Sequence, residues 1–144
     1  METLHLPTEG RTALGIDVGS TTAKLVLIRN GRIVYEIYER HYAQVRRKTL
    51  ELLQEALPLA GGDRVYVAVA GSAGLGMAQA AGLPFVQEVY ATGETVRTLE
   101  PDTDAVIELG GEDAKILFLT GGCDERMNGT CAGGTGAFID QMAT

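Results

Sequence analysis

The sequence predicts an α/β fold that opens with an antiparallel meander and continues through crossover helices. Three stretches rich in apolar and β-branched residues, 12–18, 22–29 and 32–40, are separated by only two or three residues. Connections that short join antiparallel strands, because a parallel return needs a dozen or more residues. After residue 45 the spacing of apolar residues becomes helical, and a further β-branched run appears at 64–70. A strand reached across a helix reads as parallel and buried. Finally, glycines gather where apolar runs end, at Gly19, at Gly71, Gly74 and Gly76, at Gly110 and Gly111, at Gly121 and Gly122, and from Gly129 to Gly136. Glycine at strand ends lets backbone approach a ligand closely.

Residues 1–11 are polar and patternless and read as a loose leader, with the folded region at 12–144. Between the second and third strands, Asn30-Gly31 is a strong short hairpin signal, since both residues tolerate positive φ. Val45, Thr49, Leu52, Leu53, Ala56 and Leu57 form one apolar helical stripe. Pro58 and then Gly61-Gly62 stop it. The strand at 64–70 follows, then a short helix at about 75–81 closed by Gly82. A helix at 88–100 carries Val89, Thr92, Val96 and Leu99 on one side. Gly93 in its middle costs about 1 kcal/mol relative to alanine, which marks close packing. Strands are predicted at 104–109, 114–120 and 123–127, and a helix begins at residue 135.

The chain has 144 residues and a formal charge of −7, which argues against general nucleic-acid binding. The one basic run, Arg46-Arg47-Lys48, reads as the solvated face of a helix. Two cysteines, Cys123 and Cys131, are too few for a disulfide scaffold. No stretch approaches the roughly 20 apolar residues of a membrane helix, and no secretory pattern is present, so a cytoplasmic protein with no membrane partner is expected.

Three stretches carry chemistry. The first, residues 14–24, runs Leu-Gly-Ile-Asp-Val-Gly-Ser-Thr-Thr-Ala-Lys. A strand ends in Asp17, and Gly19, Ser20, Thr21 and Thr22 make a turn before Lys24 and the next strand. Successive turn amides form an anion-binding concavity, so this reads as a phosphate-binding hairpin. Asp17 is placed to hold magnesium through water, since that ion keeps several waters. The second stretch, Glu108-Leu109-Gly110-Gly111-Glu112-Asp113-Ala114-Lys115, echoes the first. Two such turns are expected to face the two ends of a nucleoside triphosphate tail. Asp17, Glu108 and Asp113 would then surround the magnesium or position the attacking water. A G-x-x-x-x-G-K-[ST] loop is absent, and a third glycine after Gly74 and Gly76 is missing, which excludes Walker and dinucleotide sites. In the third stretch Cys131 lies among glycines just before a helix start, where the positive end of the helix dipole favours thiolate. Thiolate is the form that ligates a metal or an iron–sulfur cluster.

Together, residues 15–24, 108–115 and 128–141 resemble the activator ATPases of 2-hydroxyacyl-CoA dehydratases and benzoyl-CoA reductases, the BadF/BadG/BcrA/BcrD type. They look most like its long, multidomain form. That resemblance implies an RNase H-like, actin-like ATPase lobe with a mixed five-stranded sheet, its first three strands antiparallel and flanked by helices. It implies a homodimer clasping one 4Fe-4S cluster, with Cys131 a cluster ligand. It also implies ATP hydrolysis that drives an electron to a CoA-ester dehydratase or reductase. Asp17, Gly19, Ser20, Thr21, Thr22 and Lys24 fall on the first phosphate loop by this likeness, and Gly110, Gly111, Glu112 and Asp113 on the second. The family's second cysteine ligand lies well downstream, whereas Cys131 is thirteen residues from Thr144. Cys123 lies where the family pattern asks for no cysteine. The chain is therefore expected to be the N-terminal lobe of a larger activator, unable alone to assemble the cluster. The alternatives are a phosphotransferase of the sugar or acetate kinase type, which gives Cys131 no role, and a non-catalytic actin-like nucleotide-binding module.

Overall fold

The structure is a computed structural model that describes residues 10–62, 64–111, 113–121, 124–127, 135, 136, 139, 142 and 143. The chain divides into two compact units, residues 1–86 and 87–144.

In the first unit, strands β1 (Thr12–Val18), β2 (Thr22–Arg29) and β3 (Arg32–Arg40) are followed by helix α1 (Val45–Ala56). A 3₁₀ turn (Leu57–Ala60), strand β4 (Val65–Ala70) and helix α2 (Gly74–Ala81) complete it. The three opening strands have the predicted bounds. They pair antiparallel, and β4 joins β1 in parallel, giving the sheet order β3-β2-β1-β4. The meander turns where its chemistry allows, with Asn30 at φ 50° and Gly31 at φ 74°. One extra residue, Val34, then sits in β3, because Ile28 faces Ile33 while Leu27 faces Tyr35. This bulge leaves Ile33 exposed and turns Tyr35 and Ile37 towards the core cluster.

Alternation along β1 and β2 sends Leu14, Ile16, Val18, Ala23, Leu25 and Leu27 to one face. There they form a buried cluster with Leu52 and Ala56 of α1, with Ala60, with Val69 of β4 and with Ala78 of α2. Each fully buried leucine contributes about 1.5–3 kcal/mol. The same alternation sends Asp17 and Lys24 to the opposite face. α1 ends as its sequence requires, with Pro58 in the 3₁₀ turn and Gly61 left-handed at φ 74°. Gly82 caps α2 at φ 65°.

Between β3 and α1, Tyr42 and Ala43 both adopt left-handed φ, at 48° and 61°. This conformation costs a non-glycine residue about 1–2 kcal/mol. Ala43→Gly is expected to stabilise the protein by about 1 kcal/mol, read as a higher midpoint in urea at unchanged slope.

Among the described residues the expected five-stranded sheet is not seen. The first unit holds a four-stranded sheet and the second a separate three-stranded one. The outer edge of β4 is taken by an extended segment after α2. Val69 donates its N–H to Pro84 O (3.0 Å) and accepts from Val86 N–H (2.8 Å), a parallel bridge to Phe85. In the second unit the next strand pairs with the one that follows it.

In the second unit, helix α3 (Glu88–Leu99) precedes strands β5 (Ala105–Leu109), β6 (Ala114–Phe118) and β7 (Asp124–Met127). They form an antiparallel sheet in the order β5-β6-β7. Gly93 is buried in mid-helix, in keeping with close packing there, and Leu117 of β6 is fully buried. β6 stops two residues short of its predicted end, where Leu119 N–H turns to Asp104 O (2.8 Å). Helical hydrogen bonds run from Ile139 N–H to Thr135 O and from Ala143 N–H to Ile139 O. Among the described residues no helix is long and apolar enough to cross a membrane.

Candidate functional site

The first turn hangs on the register of β1 and β2. Asp17 and Lys24 are cross-strand partners, and Lys24 Nζ donates to Asp17 Oδ2 at 2.6 Å. Both side chains are about one-third exposed, so water screens this pair. The Lys24 ammonium also stands 5.5 Å from the centre of the Tyr38 ring, which confines it between a carboxylate and an aromatic face. The other oxygen, Asp17 Oδ1, is buried and has no hydrogen-bond partner among the described residues. A buried carboxylate oxygen without a donor is costly. Such an oxygen fits a cation or its coordinated water.

Gly19 N–H closes the turn onto Thr22 O at 3.0 Å. Gly19 has no positive φ, and a Cβ there would meet only Thr22 O, at 3.9 Å. The fold therefore does not require glycine at this position, and its absence of side chain leaves the turn open. The three hydroxyl residues differ in exposure. Ser20 is exposed, Thr21 half-buried and Thr22 buried.

Two residues that sequence reading left out of the site belong to this neighbourhood. Gly71, directly after β4, has φ 89°, and a Cβ on it would lie 2.3 Å from Val18 O and 2.5 Å from Asp17 Oδ1. Only glycine lets the end of β4 press against the Asp17 carboxylate. Ala73 N–H then caps Val18 O at 2.9 Å. The available signal is a glycine directly at a strand end, which the sequence reading marks as a place of close backbone approach without assigning it to the site. His41, directly after β3, is buried, and its Nε2 lies 3.1 Å from Gly19 O.

In the second unit, Glu108 of β5 faces Lys115 of β6 across the strands. Lys115 Nζ is instead bonded to Glu88 Oε2 of α3 at 3.0 Å. Burial pushes the Lys115 ammonium down, but the Glu88 hydrogen bond and the charges of Glu108, Glu88 and Glu125 outweigh it and hold its pKa above the usual lysine value. Glu108 Oε2 is, like Asp17 Oδ1, buried without a partner among the described residues. Gly110 N–H closes this turn onto Asp113 O at 2.8 Å, and Gly110 O accepts from Gly136 N–H at 2.8 Å. A Cβ on Gly136 would come within 3.0 Å of Leu109 O and 3.1 Å of Gly110 O, so glycine there lets two backbones touch. Thr135 beside it is fully buried. Gly111 is half-buried, as is Asp113. Glu112, Cys123 and Cys131 lie outside the described residues. Among the described residues no three His, Cys, Asp or Glu side chains gather. A cation at either carboxylate would thus take most of its ligands from water and phosphate.

Residues 14–144 match the BadF/BadG/BcrA/BcrD ATPase family. The chain belongs to that family. Its relatives include the 2-hydroxyisocaproyl-CoA dehydratase activator of Clostridioides difficile, 32% identical over 136 residues that cover 90% of this chain and 50% of the relative. The (R)-2-hydroxyglutaryl-CoA dehydratase activating ATPase of Acidaminococcus fermentans is 31% identical over 137 residues, covering 90% and 52%. A solved structure of the Clostridium difficile activator with bound ADPNP superposes with a TM-score of 0.73 at 32% identity, covering 92% of this chain and 51% of that one. The chain spans about half the length of these family members.

Proposed function

We propose that residues 12–144 form the N-terminal ATPase lobe of an activator that hydrolyses ATP to deliver electrons to a CoA-ester dehydratase or reductase. The reading rests on one repeated observation. In each unit a strand ends at a glycine turn beside a carboxylate with one buried oxygen that no described protein donor reaches. Magnesium, when bound with nucleotide, would supply charge neutralisation at the phosphates. Asp17 would hold it through water, and Lys24 keeps the other Asp17 oxygen occupied and the carboxylate oriented. The amides of Ser20 and Thr22 and the hydroxyls of Ser20, Thr21 and Thr22 bind phosphate, and Gly19 lets the backbone reach it. At the second turn Gly110, Gly111 and Glu112 are assigned to phosphate, and Glu108 and Asp113 to orienting the attacking water.

A 4Fe-4S cluster would supply the one-electron carrier, with Cys131 among its ligands. The resemblance to the family's cysteine-glycine motif supports this, and Gly136, five residues after Cys131 in sequence, is bonded to Gly110 of the second turn. In this reading the whole protein is a cytoplasmic homodimer that meets its CoA-ester enzyme as a separate partner. The test is metal content. The whole protein purified without air is expected to carry iron and acid-labile sulfide, and Cys131→Ala to lose both while still binding ADPNP. A cluster that survives in Cys131→Ala would remove the electron-transfer half of the proposal.

A further inference from the structure

We propose that His41 is a positioning residue for the phosphate-binding turn, holding two of its peptide groups in the orientation a bound phosphate needs. This deepens the nucleotide reading above and rests on it. His41 grips the turn twice. Its ring Nε2 lies 3.1 Å from Gly19 O, and its backbone N–H donates to Thr21 O at 3.1 Å. A carbonyl oxygen only accepts, so Nε2 carries the ring proton in this contact. In a planar trans peptide the N–H points opposite to its C=O. With the Gly19 and Thr21 carbonyls turned towards His41, the amides of Ser20 and Thr22 face the other side of the turn. A residue that fixes carbonyls on one side therefore presents amides on the other, which is how a backbone anion site is made.

The surroundings of His41 are what such a role requires. The residue is only 3% exposed. Its Nδ1 is buried and has no partner among the described residues. With the ring proton on Nε2, Nδ1 is the acceptor atom of the ring. The chain also adopts a strained course to keep His41 in place. Tyr42 and Ala43 both take positive φ directly after it, and Gln44 N–H returns to His41 O at 2.7 Å. Backbone held in a costly conformation beside a ligand turn points to function.

The test compares two substitutions of nearly equal shape in the whole protein. Gln places an amide N–H where Nε2–H stands, and Met does not. ADPNP with magnesium serves as probe, and its dissociation constant is measured by calorimetry. His41→Gln is expected to bind within about threefold of the unsubstituted protein, and His41→Met about tenfold more weakly. Equal affinities for the two variants, whether both strong or both weak, overturn the assignment, because packing alone treats them alike. If His41→Met does not fold, the ¹⁵N spectrum of the unsubstituted protein decides. Protonated Nε2 with bare Nδ1 supports the role, and the opposite tautomer overturns it. Failure of the unsubstituted protein to bind ADPNP is a different result, which removes the nucleotide reading itself.

Discussion

Asp17→Asn is expected to lower ATP turnover of the whole protein by about 10²–10³-fold, the usual cost of removing one preorganised charged group from a site where charge develops. The substitution keeps the shape of the side chain and removes its charge, so Lys24 loses its ionic partner at 2.6 Å. Because that pair is about one-third exposed, the stability cost stays below about 1 kcal/mol. The two readouts therefore separate, with turnover collapsing and the urea midpoint hardly moving. Magnesium titration sharpens the result. In the unsubstituted protein, magnesium is expected to strengthen ADPNP binding, and in Asp17→Asn most of that gain disappears. Unchanged turnover in a folded Asp17→Asn protein would place the cation elsewhere and remove Asp17 from the site.

Gly71→Ala is expected to be the most destabilising single-methyl change in the first unit, costing about 3 kcal/mol or more. Two effects add. At φ 89° an alanine is conformationally disfavoured, and its Cβ would lie 2.3 Å from a backbone oxygen that cannot swing aside, Val18 O. Relief requires the end of β4 to move off β1, which breaks the Ala73-to-Val18 hydrogen bond and shifts Asp17. By contrast, Gly19→Ala meets only Thr22 O at 3.9 Å and is expected to leave the denaturation midpoint nearly unchanged. A Gly71→Ala protein as stable as its parent would show that the two strand ends are not locked together.

The meander, the crossover helix and the strand after it were legible because each rests on local chemistry. Two- and three-residue connections, an Asn-Gly turn and one apolar helical stripe leave few alternatives. The sheet count was not legible. The β4 edge is held by Phe85 through backbone bonds that no side-chain pattern encodes. The site was partly legible for a related reason. Asp17, Gly19 and Lys24 stand on one short strand–turn–strand, so their neighbourhood follows from sequence distance. His41 is far along the chain and reaches the turn only because of the bulge. Carried straight from the Arg29–Arg32 pair, the register would set Thr21 opposite Arg40. The extra residue at Val34 sets Thr22 opposite Arg40 and brings His41 to Thr21. A bulge in a run as uniformly β-forming as Arg32-Ile33-Val34-Tyr35 has no composition signal.

That same extra residue has a second effect, on solubility. Among the described residues β3 is the outermost strand of its sheet. An outer strand offers a row of backbone donors and acceptors to any passing extended chain, and here Ile33, Val34 and Tyr38 are exposed on it as well. A regular strand of that composition would template aggregation. At Val34 the row loses its even spacing and its flatness, so an incoming strand cannot stay in step past the bulge. Arg32, Glu36 and Arg40, spaced four residues apart and all exposed, demand burial of charge from any strand that tries. One inserted residue thus shapes the ligand turn at one end of β3 and blocks fibril-like growth along its length.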